Sequence, residues 1–208
     1  MKRSLTLSIL CSLALACLAC PSFATKVTVK LTGVNGAVQG GVYVDPYSGT
    51  INGVPAPLVC DDFSHETYFN ETWQANVSTF ADLSDVRFQQ GTPAATLLAY
   101  DEAAYLYGQL GAHPSDIGDI SFALWALFTP SAKLSSGFTT GASNWLSTAQ
   151  GQTYYAGEFS NFEILTPVIS GSNSPQEFLT TTPEPASIML FGTGLLALAL
   201  ALRKRVMA

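Results

Sequence analysis

The stretch TPAATLLAYDEAAYLYGQLG, residues 92–111, decides the fold class because the hydrophobic period of the chain changes there. Thr92 is of a type favoured at helix N-caps, and Pro93 suits the first helical position. Apolar side chains then recur every three or four residues as far as Gly111. This spacing predicts a helix that begins at Pro93 and stops at Gly111.

The same period continues in two further segments. Ser115 is expected to cap a second helix, which ends before Pro130. Its apolar positions are Ile117, Ile120, Leu124, Leu127 and Phe128. A third, short helix is predicted from Ala142 to Ala149 and is closed by Gly151. The middle of the chain is therefore expected to hold two or three grouped helices.

Strand patterns lie on both sides of these helices. Val27, Val29 and Leu31 alternate with polar residues, which is the period of a half-buried strand. Val38 to Val44 and Leu58 to Phe63 are predicted as further strands.

Less regular patterns complete the body. Residues 45–49 predict a turn, residues 67–80 a strand pair or an extended arm, and residues 159–169 a return to strand. The order β, α, β predicts a single α+β domain over residues 25–170. Serine, threonine, asparagine and proline dominate the next segment, so residues 171–182 are predicted to form a flexible stalk.

The N-terminus has the pattern of a secretion signal. Residues 2–3 are basic, Leu5 to Ala19 are apolar, and small residues precede a cut by signal peptidase after Ala24. Residues 1–24 are therefore predicted to be a signal peptide. A lipoprotein signal is the alternative, with Cys17 or Cys20 as the acylated residue.

The charge and cysteine content of the body limit its possible partners and cross-links. Residues 25–182 carry four basic and 14 acidic residues, a net charge of −10, and the basic residues are not clustered. This excludes nucleic acid as a partner, because binding phosphates needs grouped Lys and Arg. Cys60 is the one cysteine that cleavage at Ala24 leaves, so an internal disulfide is impossible.

The C-terminus combines three features in a fixed order. Pro183-Glu184-Pro185 is followed by 17 uncharged residues, 186–202, and then by Arg203-Lys204-Arg205. A helix over residues 186–202 would be about 25 Å long, marginally enough to cross a bilayer. The basic tail predicts a cytoplasmic end, with the body outside. Pro183-Glu184-Pro185 could be a handle for a membrane protease, or the segment could be an ordinary single-span anchor.

This ending resembles the PEP-CTERM sorting signal of bacterial surface proteins, on Thr182-Pro183-Glu184-Pro185-Ala186-Ser187, Gly192, Gly194 and the basic tail. The same segment is also called an ice-binding protein C-terminal domain, a label that does not make the body bind ice. The resemblance implies recognition by an exosortase, a membrane cysteine protease-transpeptidase, with cleavage close to Pro183-Glu184-Pro185. It also implies delivery of the body to the cell envelope or to an exopolysaccharide matrix.

Residues 60–66, Cys-Asp-Asp-Phe-Ser-His-Glu, are the densest run of chemically capable side chains. Alternation along a strand would point Asp61 away from Cys60 and Asp62 unless the strand ends there. A solvated acidic turn is the preferred interpretation and a metal site the alternative, so no metal ligands are assigned. His65 and His113 are expected to be surface residues. No signature of a reactive cysteine or serine is present, so no catalytic residues are assigned.

The body also has a weaker resemblance to bacterial Cys-Gln thioester domains of surface adhesins. It rests on Cys60, on residues 100–106 (YDEAAYL) and on residues 120–125 (ISFALW). In those domains the cysteine sulfur bonds to a glutamine side chain. Ser121 stands at the glutamine position here, so the resemblance implies a shared scaffold without that reactive bond.

The sequence therefore predicts an exported protein, bound to the membrane through one helix as a precursor and mature at the cell envelope or outside the cell. Its expected partners are signal peptidase, an exosortase, and an exopolysaccharide or other surface component. The body is expected to be a binding or structural module with no cofactor and no enzymatic activity. An adhesin-like reactive domain and a secreted hydrolase are the alternatives.

Overall fold

A computed structural model describes residues 26–44, 46–171 and 173–182. Six antiparallel strands close a barrel in the spatial order β1-β4-β5-β8-β7-β6, with β6 returning to β1. They are β1 (Lys26–Val34), β4 (Tyr47–Ile51), β5 (Val54–Cys60), β6 (Thr72–Thr79), β7 (Phe162–Pro167) and β8 (Phe178–Thr181). The predicted α+β class, with strands at both ends of the body and helices in the middle, is confirmed.

The register defines one rim of the barrel. Val34 at the end of β1 pairs with Tyr47 at the start of β4, and Cys60 at the end of β5 pairs with Phe178 at the start of β8. These four residues mark what we call the upper rim. Residues that follow or precede them in the chain are therefore positioned to cover this end of the barrel.

The two ends of the body both lie at the opposite rim. Because β1 runs upward and β8 runs downward, Lys26 and Thr181 both lie at what we call the lower rim. The predicted signal peptidase site at Ala24 and the motif that starts at Pro183 are each within two residues of these strand ends in the sequence. The described body therefore begins and ends at the lower rim.

A small hairpin lies between β1 and β4. The single strand predicted over Val38 to Val44 is wrong: β2 (Val38–Gln39) and β3 (Val42–Tyr43) pair with each other. Gly40 and Gly41 turn the chain at φ values of 59° and 84°, the left-handed conformation that a two-residue type I′ turn requires.

Three helices form a layer against the barrel: α1 (Pro93–Ala112), α2 (Ile117–Phe128) and α3 (Thr140–Gln150). The Thr92 hydroxyl caps α1 by accepting from the Ala95 N–H at 3.2 Å, as predicted. Asp116, not Ser115, occupies the N-cap position of α2. Gly151 ends α3, and a short 3-10 helix over Pro130–Leu134 follows α2.

Aromatic contacts join the helices to the barrel and its loops. Phe128 of α2 packs against Tyr100 of α1 and Phe88, with ring centroids 4.8 and 5.2 Å apart. Tyr107 of α1 meets Phe162 of β7 edge to face at 5.0 Å. The buried apolar residues of strands and helices form one continuous core.

Two predicted segments near β4 are wrong in position. The turn expected over residues 45–49 is largely strand β4, and the turn falls at Asn52 and Gly53, both with positive φ. The strand expected over residues 58–63 is β5, which begins earlier and ends at Cys60.

The flexible stalk predicted over residues 171–182 is also wrong. Phe178–Thr181 is β8, which pairs with both β5 and β7 and completes the barrel. Glu177 and Ser174, just before this strand, are buried. Polar composition suggested an exposed linker, but these polar side chains are buried in hydrogen-bonded positions.

The predicted membrane helix over residues 186–202 lies outside the described residues, as do the signal peptide and the basic tail. Among the helices that the structure describes, none combines the length and apolarity that a membrane crossing needs.

Candidate binding groove and the acidic cluster beneath it

The run from Cys60 to Glu66 leaves β5 at the upper rim. The strand ends at Cys60, which removes the alternation that would have separated its side chains. Asp61 and Asp62 are both 0% exposed, so the predicted solvated acidic turn is wrong. Two acidic side chains buried side by side need partners from elsewhere in the chain.

Asp62 obtains its partner from Arg87. An Arg87 guanidinium nitrogen contacts Asp62 Oδ2, and the second nitrogen donates to Ser174 Oγ at 2.5 Å. The other Asp62 oxygen accepts from the backbone N–H groups of Ser64 and His65 at 2.9 and 3.2 Å. Asp62 is therefore both an ion-pair partner and the organiser of the turn that follows β5.

His65 lies on top of this ion pair and was expected at the surface. Its side chain is 22% exposed, and its Nδ1 is 2.8 Å from Asp62 Oδ2 and 3.1 Å from an Arg87 nitrogen. A carboxylate oxygen can only accept, so the Arg87 nitrogen and His65 Nδ1 both donate to Asp62 Oδ2. This assigns the proton of a neutral His65 ring to Nδ1. His113, by contrast, is exposed.

A second buried carboxyl, Glu177, faces Asp61. Glu177 accepts from Tyr100 Oη at 2.5 Å, from the Arg87 backbone N–H at 2.7 Å and from the Thr166 hydroxyl. Neither Asp61 oxygen has a hydrogen-bond donor. Burial and the neighbouring Glu177 carboxyl raise the pKa of Asp61 well above its usual range. The protonated form of Asp61 is therefore favoured, and its hydroxyl can donate to Glu177.

Burial raises the pKa values of Glu177 and Tyr100 as well. For Glu177 the hydrogen bonds donated by Thr166, Tyr100 and the Arg87 backbone act in the opposite direction. The tyrosine pKa is raised further by the adjacent Glu177 carboxyl, so Tyr100 remains a hydrogen-bond donor. The cluster thus consists of one acid with a raised pKa, one ion pair and one carboxyl surrounded by donors.

The pair proposed as a thioester remnant, Cys60 and Ser121, lies where α2 packs against β5. Both residues are 0% exposed. The Ser121 hydroxyl donates to the Ile117 carbonyl at 2.9 Å. One turn later on the same helix, Trp125 Nε1 donates to the Cys60 carbonyl at 2.9 Å. The structure therefore brings this face of α2 to Cys60.

A side-chain amide that the sequence did not single out, that of Gln176, shares a hydrogen-bond acceptor with Cys60. The Asp62 carbonyl oxygen is contacted both by Cys60 Sγ, at 3.2 Å, and by Gln176 Nε2, at 2.8 Å. Gln176 is only partly buried, whereas Cys60 is enclosed. Gln176 could not be identified from sequence, because it lies in the segment predicted to be a stalk and no neighbouring motif links it to Cys60.

Above this cluster, a groove of about 670 Å³ opens at the upper rim. Its walls come from the hairpin β2–β3, the loop after β5, α2 and the start of β8. The aromatic lining residues are Tyr43, Tyr47, Phe63, Tyr68, Phe69, Trp125 and Phe178. Three of these rings face solvent: Tyr43 is 54%, Tyr68 67% and Phe69 65% exposed.

The polar groups of the groove are acidic or neutral, apart from His65. Glu66 and Thr67 line it together with Gln176, and neither lysine nor arginine appears among its described lining residues. The Tyr68 hydroxyl donates to Glu66 Oε2 at 3.1 Å, and the Tyr68 backbone N–H donates to Glu71 Oε2 at 2.8 Å. The hydrogen bond to Glu66, and the charge of that carboxylate, raise the pKa of Tyr68.

Within residues 26–44, 46–171 and 173–182, the structure has no group of three His, Cys, Asp or Glu side chains placed to hold a metal ion. The predicted sorting residues Pro183, Glu184 and Pro185, the tail Arg203, Lys204 and Arg205, and the cleavage site Ala24 lie outside the described residues.

Comparison with protein-family models matches residues 181–205 to the PEP-CTERM protein-sorting motif. The predicted PEP-CTERM resemblance is therefore confirmed. The motif implies export, processing by an exosortase, and sorting to the cell envelope or the extracellular space. No curated protein and no solved structure matches the chain.

Proposed function

We propose that the body of this chain is a non-enzymatic binding module, displayed at the cell envelope or in an extracellular matrix after exosortase processing. The observation that carries this proposal is the placement of the groove. It lies at the upper rim, whereas Lys26 and Thr181 place both chain connections at the lower rim. A body held through its C-terminal end would present the groove away from its attachment.

The burial of the reactive side chains supports a role without catalysis. A nucleophile or a general base must reach a substrate atom, but Cys60, Asp61 and Asp62 are fully enclosed. Asp62 is also committed to its ion pair with Arg87. A secreted hydrolase that uses these residues would have to open the upper rim first.

The proposal includes a membrane-bound precursor. Residues 186–202 would cross the membrane, with Arg203-Lys204-Arg205 on the cytoplasmic side and cleavage near Pro183-Glu184-Pro185. The uncharged length of the segment and the three consecutive basic residues support this arrangement.

Replacing Pro183, Glu184 and Pro185 together with alanine tests the sorting step. We expect an epitope-tagged variant to accumulate as uncleaved precursor in the membrane fraction, with at least about tenfold less protein released or surface-labelled, because the protease loses its recognition sequence. Fractionation and immunoblotting measure this. Lys133→Ala, at an exposed position, is the matched control. A triple variant processed like the control would contradict the proposal.

A second candidate function is favoured by the contact of Cys60 and Gln176 with one carbonyl oxygen. In this candidate, Sγ of Cys60 attacks the Gln176 side-chain carbonyl. A C–S bond forms, the C–N bond breaks, and the nitrogen leaves as ammonia with the thiol proton. The resulting thioester, at the edge of the groove, could capture an amine from a surface partner.

Intact-mass measurement tests this second candidate. A thioester lowers the mass of the chain by about 17 Da, the mass of the ammonia lost when the thiol is acylated. Cys60→Ala and Gln176→Met should each give their own unmodified calculated mass. An unmodified mass for the unsubstituted chain would exclude the thioester and leave the non-covalent binding module.

A further inference from the structure

The upper rim presents exposed aromatic rings and the exposed carboxylate of Glu66. Tyr68 and Phe69 are each about two-thirds exposed, although large aromatic side chains usually gain stability by burial. They follow the turn organised by Asp62, which is tied to the core through Arg87. The segment that carries both rings is therefore connected to the core through the ion pair of Asp62 and Arg87.

The groove has exposed aromatic rings from two separate segments of the chain. The hairpin residue Tyr43 stands on one wall, and Tyr68 and Phe69 stand on the loop after β5. Exposed rings of this kind offer flat apolar faces, on which the C–H faces of pyranose rings can pack. Glu66, Thr67 and Gln176 add hydrogen-bonding groups along the same surface.

Charge selects among sugar polymers. No lysine or arginine lines the described groove, and Glu66 is exposed with one oxygen bonded to the Tyr68 hydroxyl. The body as a whole carries a net charge of −10. An anionic polysaccharide would be repelled, whereas an ammonium group placed against the Tyr68 ring and the Glu66 carboxylate would gain both a cation–π contact and an ion pair.

We propose that this groove binds a polysaccharide that contains protonated amino sugars, with Tyr68 and Phe69 stacking on the sugar rings and Glu66 pairing with an amino group. This inference rests on the proposed function as a displayed binding module and names its ligand class. The position of the groove opposite the chain connections leaves room for a long polymer to pass over the upper rim.

Titration calorimetry on the full chain, purified in mild detergent, tests the proposal. The probes are the β-1,4-linked glucosamine hexamer and the matched N-acetylglucosamine hexamer. We expect binding of the glucosamine hexamer that weakens as salt is raised, and about tenfold weaker binding of the acetylated one, because acetylation removes the charge. Equal binding of both probes would overturn the role of charge.

Substitutions then locate the site. Tyr68→Ala and Phe69→Ala should each weaken binding of the glucosamine hexamer about tenfold, as expected for an aromatic anchor. Glu66→Gln should weaken binding of the glucosamine hexamer by a comparable factor and leave binding of the N-acetylglucosamine hexamer unchanged. Tyr155→Ala, which removes a 74% exposed tyrosine outside the groove, and Asp85→Asn are the matched controls and should bind like the unsubstituted chain.

Three outcomes would overturn the ligand assignment. They are absence of binding by both probes, binding that the groove substitutions do not change, and self-association of the chain through the groove in sedimentation experiments, relieved by Tyr68→Ala. The last result would make the rim a protein interface. None of these affects the sorting experiment, so failure of the ligand proposal is distinguishable from failure of exosortase-dependent display.

Discussion

Arg87→Leu is expected to lower the free energy of unfolding by about 3–5 kcal/mol, the usual effect of removing one partner of a buried ion pair. Asp62 is 0% exposed and would keep its carboxylate in the interior without the cation that balances it. The substitution also removes the hydrogen bond to Ser174, which helps to hold the segment before β8. Urea unfolding followed by tryptophan fluorescence measures the change.

A matched control and a double variant separate charge from packing. Lys133→Leu removes an exposed basic residue and should change stability by less than about 0.5 kcal/mol. The double variant Asp62→Leu, Arg87→Leu should be more stable than Arg87→Leu alone, because no unpaired charge remains. Equal stabilities for Arg87→Leu and Lys133→Leu would show that the ion pair does not support the rim.

Asp61→Asn is expected to stabilise the protein at pH 7 by about 1–3 kcal/mol, because folding no longer requires a buried carboxyl to keep a proton that the unfolded chain has released at that pH. An amide can donate to Glu177 without a titratable proton. Asp61 has a pKa raised by burial and by Glu177. Its folded form therefore keeps a proton that the unfolded chain releases at a lower pH.

The pH dependence follows from this difference. Between the ordinary aspartate pKa and the raised folded value, the folded state binds more protons, so stability falls as pH rises. Asp61→Asn should make the stability profile above pH 4 flatter. Some slope will remain, since burial also raises the pKa of Asp101 to about 6. Asp85→Asn is the control, and a profile for Asp61→Asn that stays parallel to the unsubstituted one would contradict the assignment.

The helices were predictable because their signals are local. The Thr92 cap, the Pro93 start and the Gly151 end were each read from neighbouring residues, and the structure has all three. Ser115 was misassigned as a cap because serine and aspartate stand next to each other there, and both are good cap residues. The order of strands and helices was equally predictable, because the period of the apolar residues changes along the chain.

The closure of the barrel was not predictable from local pattern. Its last strand has four residues and lies among serine, threonine and proline, a composition that usually marks a linker. What makes it a strand is pairing with β5, over a hundred residues away in sequence. The hairpin was missed for a different reason, because its two strands are too short to show alternation.

The site could be predicted only in part from the sequence. The run after Cys60 was recognised, but its burial depends on Arg87 and Glu177, which carry no motif. The groove could not be predicted from sequence, because its aromatic rings come from four separate segments that only the folded barrel brings together. The sorting motif was found readily, because all its features lie in one contiguous segment.

The late position of β8 has a consequence for the order of events during secretion. The barrel cannot close until residues 178 and 179 are available to pair with β5, a contact of very long sequence separation. A chain that emerges N-terminus first must therefore hold β1 to β7 as an open sheet, with unpaired edges, until almost the whole body has crossed. Maturation of the domain and arrival of the sorting motif at the membrane become nearly simultaneous, so a chaperone that shields open sheet edges would act in the interval just before them.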